Sequence, residues 1–213
     1  MSKNALLFGG GLDSWSILEL CYGEGDGGPL LIYVDWGAKA MVGELQSMER
    51  AAKRYGCDTK VIEIADALNI QSALTNKAVE SVHAKNFVPY RNLMFASMAL
   101  VAVSDMDVGR IQFGFHIEPE GSNYADAKKP FLILLNSLLI SGYPEQHVYF
   151  HAPLIDRERE DYIGDALNRY PDLFDHSFSC YEAITEFECG MCTHCLGKQA
   201  LLKKLRLKRI GRA

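Results

Sequence analysis

The sequence lacks any apolar run long enough to cross a membrane. Its longest apolar stretches, such as FLILLNSLLI at 131–140, reach about half the length that a bilayer requires. The first ten residues, MSKNALLFGG, contain one lysine but neither the long apolar core nor the small-residue cleavage site of a signal peptide. We therefore expect a cytoplasmic protein without a membrane partner.

The chain also lacks an excess of positive charge. Its formal net charge is −5 at pH 7, whereas broad binding to nucleic acid or to an anionic membrane needs a basic surface. The sequence therefore disfavours a nucleic-acid partner. The tail KKLRLKRIGRA is basic, and we interpret it as the solvated end of a C-terminal helix, with an RNA or protein contact as the alternative.

The remaining composition is that of an ordinary globular protein. A chain of 213 residues suits one domain with a small appendage, and no internal repeat is visible. Short β-rich apolar runs alternate with helical patterns, which predicts an α/β fold: a Rossmann-like parallel sheet of about five strands with helices on both faces. The strand pattern stops near Asp156. We therefore expect an α/β domain at 1–156 and a small helical C-terminal subdomain at 157–213 that packs on it.

The element boundaries follow from apolar periodicity and from glycine and proline positions. The predicted strands are 4–9, 29–36, 58–64, 110–115 and 147–154. The predicted helices are 13–22, 40–55, 91–104, 127–141, 158–170 and a last helix from residue 196.

Three consecutive glycines, Gly9 to Gly11, separate the first predicted strand from the first helix. Glycine allows positive φ and close approach to a ligand, and the free N–H groups of a helix's first turn can bind an anion. Asp13 and Ser14 suit the cap of this helix, and the Ser14 hydroxyl can also donate to a phosphate. Neither the Walker lysine nor a GxGxxG pattern is present. The junction predicts a phosphate site of another type, with a plain tight turn as the alternative.

Four of the six cysteines lie in CYEAITEFECGMCTHC, with the spacing C-x8-C-x2-C-x2-C. This spacing is typical of a structural zinc site, in which four thiolates leave no position open to water. Disulfides are the alternative, but a cytoplasmic chain keeps its thiols reduced. We do not expect His194 to be a ligand, and we interpret Cys21 and Cys57 as small buried residues. The predicted zinc ligands are Cys180, Cys189, Cys192 and Cys195.

The segment FGGGLDS resembles the PP-loop, SGGxDS, of ATP pyrophosphatases, which adenylate a substrate and release pyrophosphate. Gly10, Gly11, Asp13 and Ser14 match this pattern, whereas Gly9 stands where the family has its first serine. The resemblance implies that ATP is bound by Phe8, Gly9, Gly10, Gly11, Leu12, Asp13 and Ser14.

The whole chain resembles the 7-cyano-7-deazaguanine synthase family. The resemblance runs in order from residue 5 to about residue 203, through FGGGLDS, YVDWG, FVPYRNLMF, FGFHIEPEGSNYADAKKPF, APL and the cysteine cluster. It implies ATP, Mg²⁺ and structural Zn²⁺, a small-molecule deazaguanine substrate and a homodimer. In that family, the carboxylate of 7-carboxy-7-deazaguanine attacks the α-phosphorus of ATP. The acyl adenylate takes ammonia to give an amide, and a second ATP helps to dehydrate the amide to a nitrile.

The resemblance also assigns roles to polar residues. Asp13 would hold Mg²⁺ or position a phosphate, with a helix cap as the alternative, and Arg91 would grip a phosphate or carboxylate, with a surface arginine as the alternative. Asp126 corresponds to the acidic residue of the family's YPDCR motif, and a carboxylate suits the paired N–H donors of a guanine-like edge. The expected catalytic residues are Asp13, Ser14 and Arg91. The expected substrate contacts are Arg91, Asn92, Glu118, Tyr124, Asp126, Lys128 and Phe131.

Three of these assignments have structural alternatives. Tyr124 and Phe131 could stack on the base or pack in the core, and Asp126 could cap a helix. Lys128 stands where the family has an arginine, from which it could still contact an acidic group.

Several positions depart from the family pattern. Where the family reads DYGQRH this chain reads DWGAKA, so Ala38 and Ala40 replace a glutamine and a histidine. The lysine that related enzymes carry after PL is absent, and Arg157 and Arg159 follow instead. These departures predict a divergent member that adenylates a carboxy-deazaguanine and then forms an amide or nitrile. The alternatives are a ligase that joins the activated base to a protein or nucleic-acid amine, as in anti-phage defence, a tRNA-modifying PP-loop enzyme, and a non-catalytic zinc-stabilised module.

Overall fold

In the computed structural model, a five-stranded sheet carries helices on both faces, as the sequence predicts. The structure describes residues 3–24, 27–68, 70, 72, 74–75, 88–117, 124–145 and 147–210, with the backbone alone at 209 and 210. The strands are β1 (Lys3–Leu7), β2 (Leu30–Asp35), β3 (Thr59–Glu63), β4 (Val108–Gln112) and β5 (Tyr149–His151). The helices are α1 (Leu12–Cys21), α2 (Met41–Tyr55), α3 (Ala65–Leu68), α4 (Arg91–Ala102), α5 (Lys129–Gly142), α6 (Arg159–Arg169), α7 (Leu173–His176) and α8 (Thr193–Ile210).

All neighbouring strands run parallel, in the order β3-β2-β1-β4-β5. In register, Ala5 of β1 lies opposite Leu30 of β2 on one side and Ile111 of β4 on the other. The chain leaves β1 toward β2 on one side and reaches β4 on the other, so the direction of winding reverses between β1 and β4. In parallel α/β sheets ligands bind outside the carboxyl ends of the strands at this switch point.

Alternate residues of the central strands bury opposite faces of the sheet, as the period of two in a strand requires. Leu6 and Leu31 face the core that contains α1, α2, α6 and α7. Ala5, Ile32 and Ile111 face the other core, which α4 and α5 cover. Because both faces are buried, the strands read as continuous apolar runs, which is the signal from which they are predicted.

The structure differs from the predicted elements mainly at their ends. The last helix begins at Thr193, one residue after Cys192, and the single-turn helices α3 and α7 were not predicted because one turn shows no periodicity. The predicted strand 110–115 ends at Gln112, and the apolar residues that follow lie beyond the sheet. They line a cavity described below.

The C-terminal segment packs directly on the half of the chain that contains the sheet. Tyr162 and Ile163 of α6 and Leu205 of α8 belong to the same buried cluster as Trp15 of α1. Phe178 lies against Gly43 of α2 so closely that a β-carbon on Gly43 would meet its ring at 2.2 Å. The cavity wall that this segment forms is therefore held by close packing.

None of the helices in the described ranges is long and apolar enough to traverse a bilayer.

Tyr90, which precedes α4, has a left-handed backbone with φ of 64°. It is the only non-glycine residue with positive φ in the described part of the chain, and its side chain is 80% exposed. A side chain in this conformation costs about 1–2 kcal/mol, and little packing offsets that cost here. The strain lies directly before Arg91, the first residue of α4.

We expect Tyr90→Gly to raise the free energy of unfolding by about 1 kcal/mol, because glycine adopts positive φ without a steric penalty. Urea titration measures the change. Ser97→Gly is the matched control: Ser97 is exposed inside the same helix, and its replacement should lower stability by about 0.5 kcal/mol. A loss of stability in Tyr90→Gly would show that the tyrosine side chain contributes more than the strain costs.

Candidate active site

A cavity of about 520 Å³ opens at the carboxyl ends of β1, β2 and β4. It lies where the reversal in sheet winding predicts a ligand site. The sheet, the loops after it and the first turn of α1 contribute, among others, Gly9, Gly11, Asp13, Ser14, Trp36, Ala38, Ala40 and Phe113. The helices and the cysteine segment contribute, among others, Glu44, Arg91, Asn92, Arg159, Phe178, Tyr181, His194 and Lys198.

The glycine loop leads directly into α1. Gly11 is the N-cap, with extended backbone, and no side chain caps the helix. The expectation that Asp13 or Ser14 caps α1 is wrong, because the helix begins at Leu12 and places both residues inside its first turn. The Ser14 hydroxyl instead accepts the N–H of Gly9 at 3.4 Å. The helix N-terminus therefore faces the cavity with no side chain occupying its amide hydrogens.

Gly10 requires glycine for two reasons. Its φ is +72°, and a β-carbon would lie 2.9 Å from the Cα of Glu44. Its carbonyl oxygen points into the protein, where it accepts the N–H of Phe178 at 2.8 Å and lies 2.8 Å from Oγ of buried Ser47. The loop is thus fixed against α2 and the C-terminal segment.

Asp13 is held by two side chains of α6. Its Oδ1 accepts hydrogen bonds from Nε of Arg159 at 3.1 Å and from the Tyr162 hydroxyl. Burial alone would raise the pKa of Asp13, but the charges of Arg159 and His116 and the bond from Tyr162 lower it below the ordinary value. Asp13 is therefore a carboxylate at neutral pH. Of the two arginines after PL, Arg159 lines the cavity, whereas Arg157 pairs with Asp165.

Arg91 and Asn92 reach the opposite wall from the first turn of α4. The guanidinium of Arg91 lies 5.5 Å from the centroid of the Trp36 ring, a cation–π arrangement. Asn92 donates through Nδ2 to the backbone carbonyl of Asp126 at 3.1 Å. Oδ1 of Asp126 is buried and has no hydrogen-bond partner in the described structure. Asn92 thus connects the cavity wall to the backbone of Asp126, the residue whose Oδ1 has no partner.

Four other predicted substrate contacts, Tyr124, Asp126, Lys128 and Phe131, do not line the cavity. Phe131 packs in the core with its ring edge-on to Phe115, at 6.5 Å between centroids, and Tyr124 packs against the same cluster. Lys128 is exposed. Glu118 lies outside the described residues.

Several cavity residues were missed by sequence reasoning. Tyr181, His194 and Lys198 come from the cysteine segment and α8, for which only a structural role was predicted. The Tyr181 and His194 rings lie 3.7 Å apart between centroids, so His194 contacts an aromatic side chain of the cavity wall. Glu44 lies in the first turn of α2 and belongs to none of the motifs found in the sequence. Burial raises its pKa to about 7, against the lowering effects of a bond from Tyr33 and the charge of Arg91.

The four cysteine sulfurs converge on one point. All four Sγ atoms lie within 4.8 Å of one another, with Cys180–Cys192 and Cys189–Cys195 separations of 3.9 Å. A tetrahedral site with metal–sulfur bonds of about 2.3 Å needs sulfurs about 3.8 Å apart. Burial raises the pKa of Cys192, but backbone N–H groups of Cys195 and Tyr181 and neighbouring thiols lower it to about 7. The cluster fits a bound metal ion.

A family model described as "Queuosine biosynthesis protein QueC" matches residues 3–206. The chain belongs to the QueC family. Membership confirms the predicted family, and the parallel sheet with a glycine loop after β1 is the predicted fold class. The match includes both the sheet and the cysteine cluster, so all the described residues that line the cavity lie within it.

Relatives of this QueC chain are similar along most of their length. A 7-cyano-7-deazaguanine synthase from Chlorobium luteolum is 28% identical over 204 residues, which cover 91% of this chain and 88% of that protein. The enzyme of the same name from Nitratiruptor sp. is 26% identical over 221 residues, 99% of this chain and 94% of that protein. Among solved structures, the U34-tRNA thiolase NcsA from Methanococcus maripaludis with its 4Fe-4S cluster matches 79% of this chain and 57% of its own, with a TM-score of 0.49 and 16% identity.

We expect Cys192→Ser to lose most of the bound metal and to unfold at a temperature lower by on the order of 10 °C, because one of four ligands is removed. Elemental analysis and thermal unfolding measure the two effects. Cys21→Ser is the control, since Cys21 is exposed and lies outside the cluster. Equal metal content in wild type and Cys192→Ser would contradict a four-cysteine site.

Proposed function

We propose that this protein adenylates the carboxylate of 7-carboxy-7-deazaguanine, or of a closely related base, and then joins the acyl group to an amine. The observation that carries this proposal is the cavity itself. In this chain of the QueC family, the cavity combines an uncapped helix N-terminus, the carboxylate Asp13 and the cations Arg91 and Arg159. Such a set suits a triphosphate and an acid that must meet.

The glycine loop would hold the ATP phosphates. Backbone N–H groups of 11–14 would donate to phosphate oxygens, and Arg159 would add a charge-assisted hydrogen bond. Mg²⁺ takes one or two carboxylates together with phosphate oxygens and water. Asp13 would supply that carboxylate, because it lines the cavity in the first turn after the glycine loop. When bound, Mg²⁺ would neutralise charge on the phosphates.

Asp126 does not line the cavity itself, but its backbone carbonyl is bonded to the cavity residue Asn92, and from there it would read the base. A buried oxygen without a partner costs about 1–3 kcal/mol, a cost that a ligand's donors would remove. Oδ1 of Asp126 is such an atom. The adjacent N–H groups of a guanine-like edge suit a carboxylate. Arg91 would hold the substrate carboxylate near the loop.

The first step forms one bond and breaks one. A carboxylate oxygen attacks the α-phosphorus of ATP, and the bond from that phosphorus to the bridging oxygen breaks to release pyrophosphate. The acyl carbon then carries AMP as its leaving group. Attack by an amine nitrogen on that carbon gives an amide and AMP.

The identity of the amine separates two candidate functions. Ammonia would give the amide and, with a second ATP, the nitrile, whereas an amine of a protein or nucleic acid would give a conjugate. Ala38 and Ala40 favour the second candidate, because both line the cavity where the family pattern has a glutamine and a histidine. Their methyl groups leave more room for an acceptor and fewer polar contacts for ammonia.

We also propose that the clustered cysteines bind structural Zn²⁺, since four thiolates in a tetrahedron favour zinc over harder cations. Residues 157–213 would act as a subdomain that completes the cavity wall. A cytoplasmic location agrees with six cysteines that form no disulfide in the described structure.

We further propose a homodimer. Helix α5 exposes Ile133, Leu134 and Leu138 on one face, more apolar area than a solvated helix usually carries. Light scattering should show twice the chain mass, and Leu134→Asp should reduce it to the single-chain mass. An unchanged single-chain mass in wild type would rule the dimer out.

The decisive experiment mixes protein, ATP, Mg²⁺, 7-carboxy-7-deazaguanine and ammonia, and follows pyrophosphate and product mass. We expect pyrophosphate release that requires the base, and a product with the mass of the amide or nitrile. Release without a new small product points to the conjugating alternative, which candidate acceptor proteins and their peptide masses would test. No release with the base would contradict the proposal.

We expect Arg159→Ala to slow base-dependent pyrophosphate release at least 100-fold, about 2.7 kcal/mol, because a charge-assisted phosphate contact is lost. Arg157→Ala should stay within about twofold of wild type, since Arg157 pairs with Asp165 outside the cavity. Equal losses in both variants would contradict a phosphate contact of Arg159 and would assign the loss to a structural change in segment 157–159.

A further inference from the structure

We propose that Glu44 is the general base that takes a proton from the attacking amine. This inference rests on the proposed function, and it assigns the second step of that reaction to a side chain that no sequence motif identifies.

Glu44 is placed where the two halves of the substrate would meet. Its backbone lies directly beneath the glycine loop, since its Cα would be only 2.9 Å from a β-carbon on Gly10. Its side chain lines the cavity, as does that of Arg91. A base at this position would lie close to the α-phosphate that the loop holds. That position is also where the acyl carbon must be attacked.

The carboxylate of Glu44 is oriented by the sheet. Oε2 accepts a hydrogen bond of 2.7 Å from the hydroxyl of Tyr33, a buried residue of β2. A side chain held on a strand and a helix keeps its position better than one on a loop. Tyr33 is therefore a positioning residue for Glu44.

The electrostatic surroundings of Glu44 suit proton transfer near neutral pH. The groups that face it are Arg91 of α4, Asp35 and Tyr33 of β2, and Tyr181 of the cysteine segment. Burial and Asp35 raise the pKa of Glu44, Tyr33 and Arg91 lower it, and the balance is about 7. A general base works best when its pKa lies near the working pH.

The other proton acceptors of the described cavity wall are less suited. Asp13 is engaged by Arg159 and Tyr162, and its pKa is lowered, which makes it a weak base. Lys198 donates to Ser177 and pairs with Glu188. His194 packs on Tyr181 and lies between two of the clustered cysteines in sequence. Two carboxylates whose pKa values are pushed apart are a recurring sign of separate chemical roles.

The step balances with these groups alone. The amine nitrogen forms a bond to the acyl carbon, the bond from that carbon to the AMP oxygen breaks, and AMP leaves with the electron pair. One N–H proton passes to the Glu44 carboxylate, which later releases it to water. No oxidant, reductant or further co-reactant is required.

The test compares Glu44→Gln with wild type in two assays. Adenylation is measured by exchange of labelled pyrophosphate into ATP in the presence of the base, and amide formation is measured with ammonia. We expect exchange within about threefold of wild type and amide formation about 100-fold slower, since general bases contribute 10²–10⁴-fold. Hydroxylamine, an unprotonated and stronger nucleophile at neutral pH, should restore product formation to within about fivefold.

The pH dependence gives an independent readout. The ratio of wild-type to Glu44→Gln rates should rise with pH to about 7 and then stay constant, because the carboxylate is the active form. Tyr33→Phe removes a hydrogen bond that favours the carboxylate, so the rise in amide formation should move to higher pH. Glu160→Gln is the matched control, because Glu160 pairs with Lys204 outside the cavity and its loss should change neither assay.

Each outcome decides the matter. Amide formation at the wild-type rate in Glu44→Gln, or equal losses in exchange and amide formation, would overturn the base role while leaving adenylation intact in wild type. No exchange in wild type would overturn the proposed function itself. If Glu44→Gln does not fold, an unshifted pH profile in Tyr33→Phe overturns the role, and a shifted profile supports it.

Discussion

The carbonyl oxygen of Gly10 is the point on which the candidate site depends. It accepts the N–H of Phe178 and lies within hydrogen-bond distance of the Ser47 hydroxyl, which in turn accepts the indole N–H of Trp15. One acceptor thus joins the glycine loop to α1, to α2 and to the C-terminal segment. Because these groups are buried, each unmade bond would cost on the order of 1–3 kcal/mol, so the loop has one favoured arrangement.

That arrangement keeps the amide hydrogens in the first turn of α1 available to a ligand. In many proteins a side chain caps the first turn of a helix, but here Gly11 is the cap and the side chains of the turn are used elsewhere. Asp13 turns to α6, and Ser14 turns back to Gly9. The partial positive charge of the helix end therefore faces an open chamber, which is the electrostatic requirement for holding a polyphosphate.

Much of the fold was predictable because both faces of the sheet are buried. Five short apolar runs predicted the five parallel strands, and the cysteine spacing predicted the thiolate cluster. The roles of Glu44 and Tyr181 in the cavity wall were not predictable, since a single acidic or aromatic residue in a helix or an irregular segment has no local signature. Tyr181 reaches the cavity through contacts between residues more than a hundred positions apart, such as Phe178 with Gly10, and Glu44 is placed by Gly10 and Tyr33. Tyr124 and Phe131 were expected as stacking or core residues, and their rings pack in the core.

The contact between Gly43 and Phe178 has an evolutionary consequence. The aromatic ring occupies the volume in which any larger residue at position 43 would place its side chain. These two positions therefore cannot diverge independently: a homologue with a bulkier residue on this helix must carry a smaller one in the facing segment, or else its chamber must be shaped differently. Pairwise co-variation at the two sites would mark which lineages share the same chamber shape.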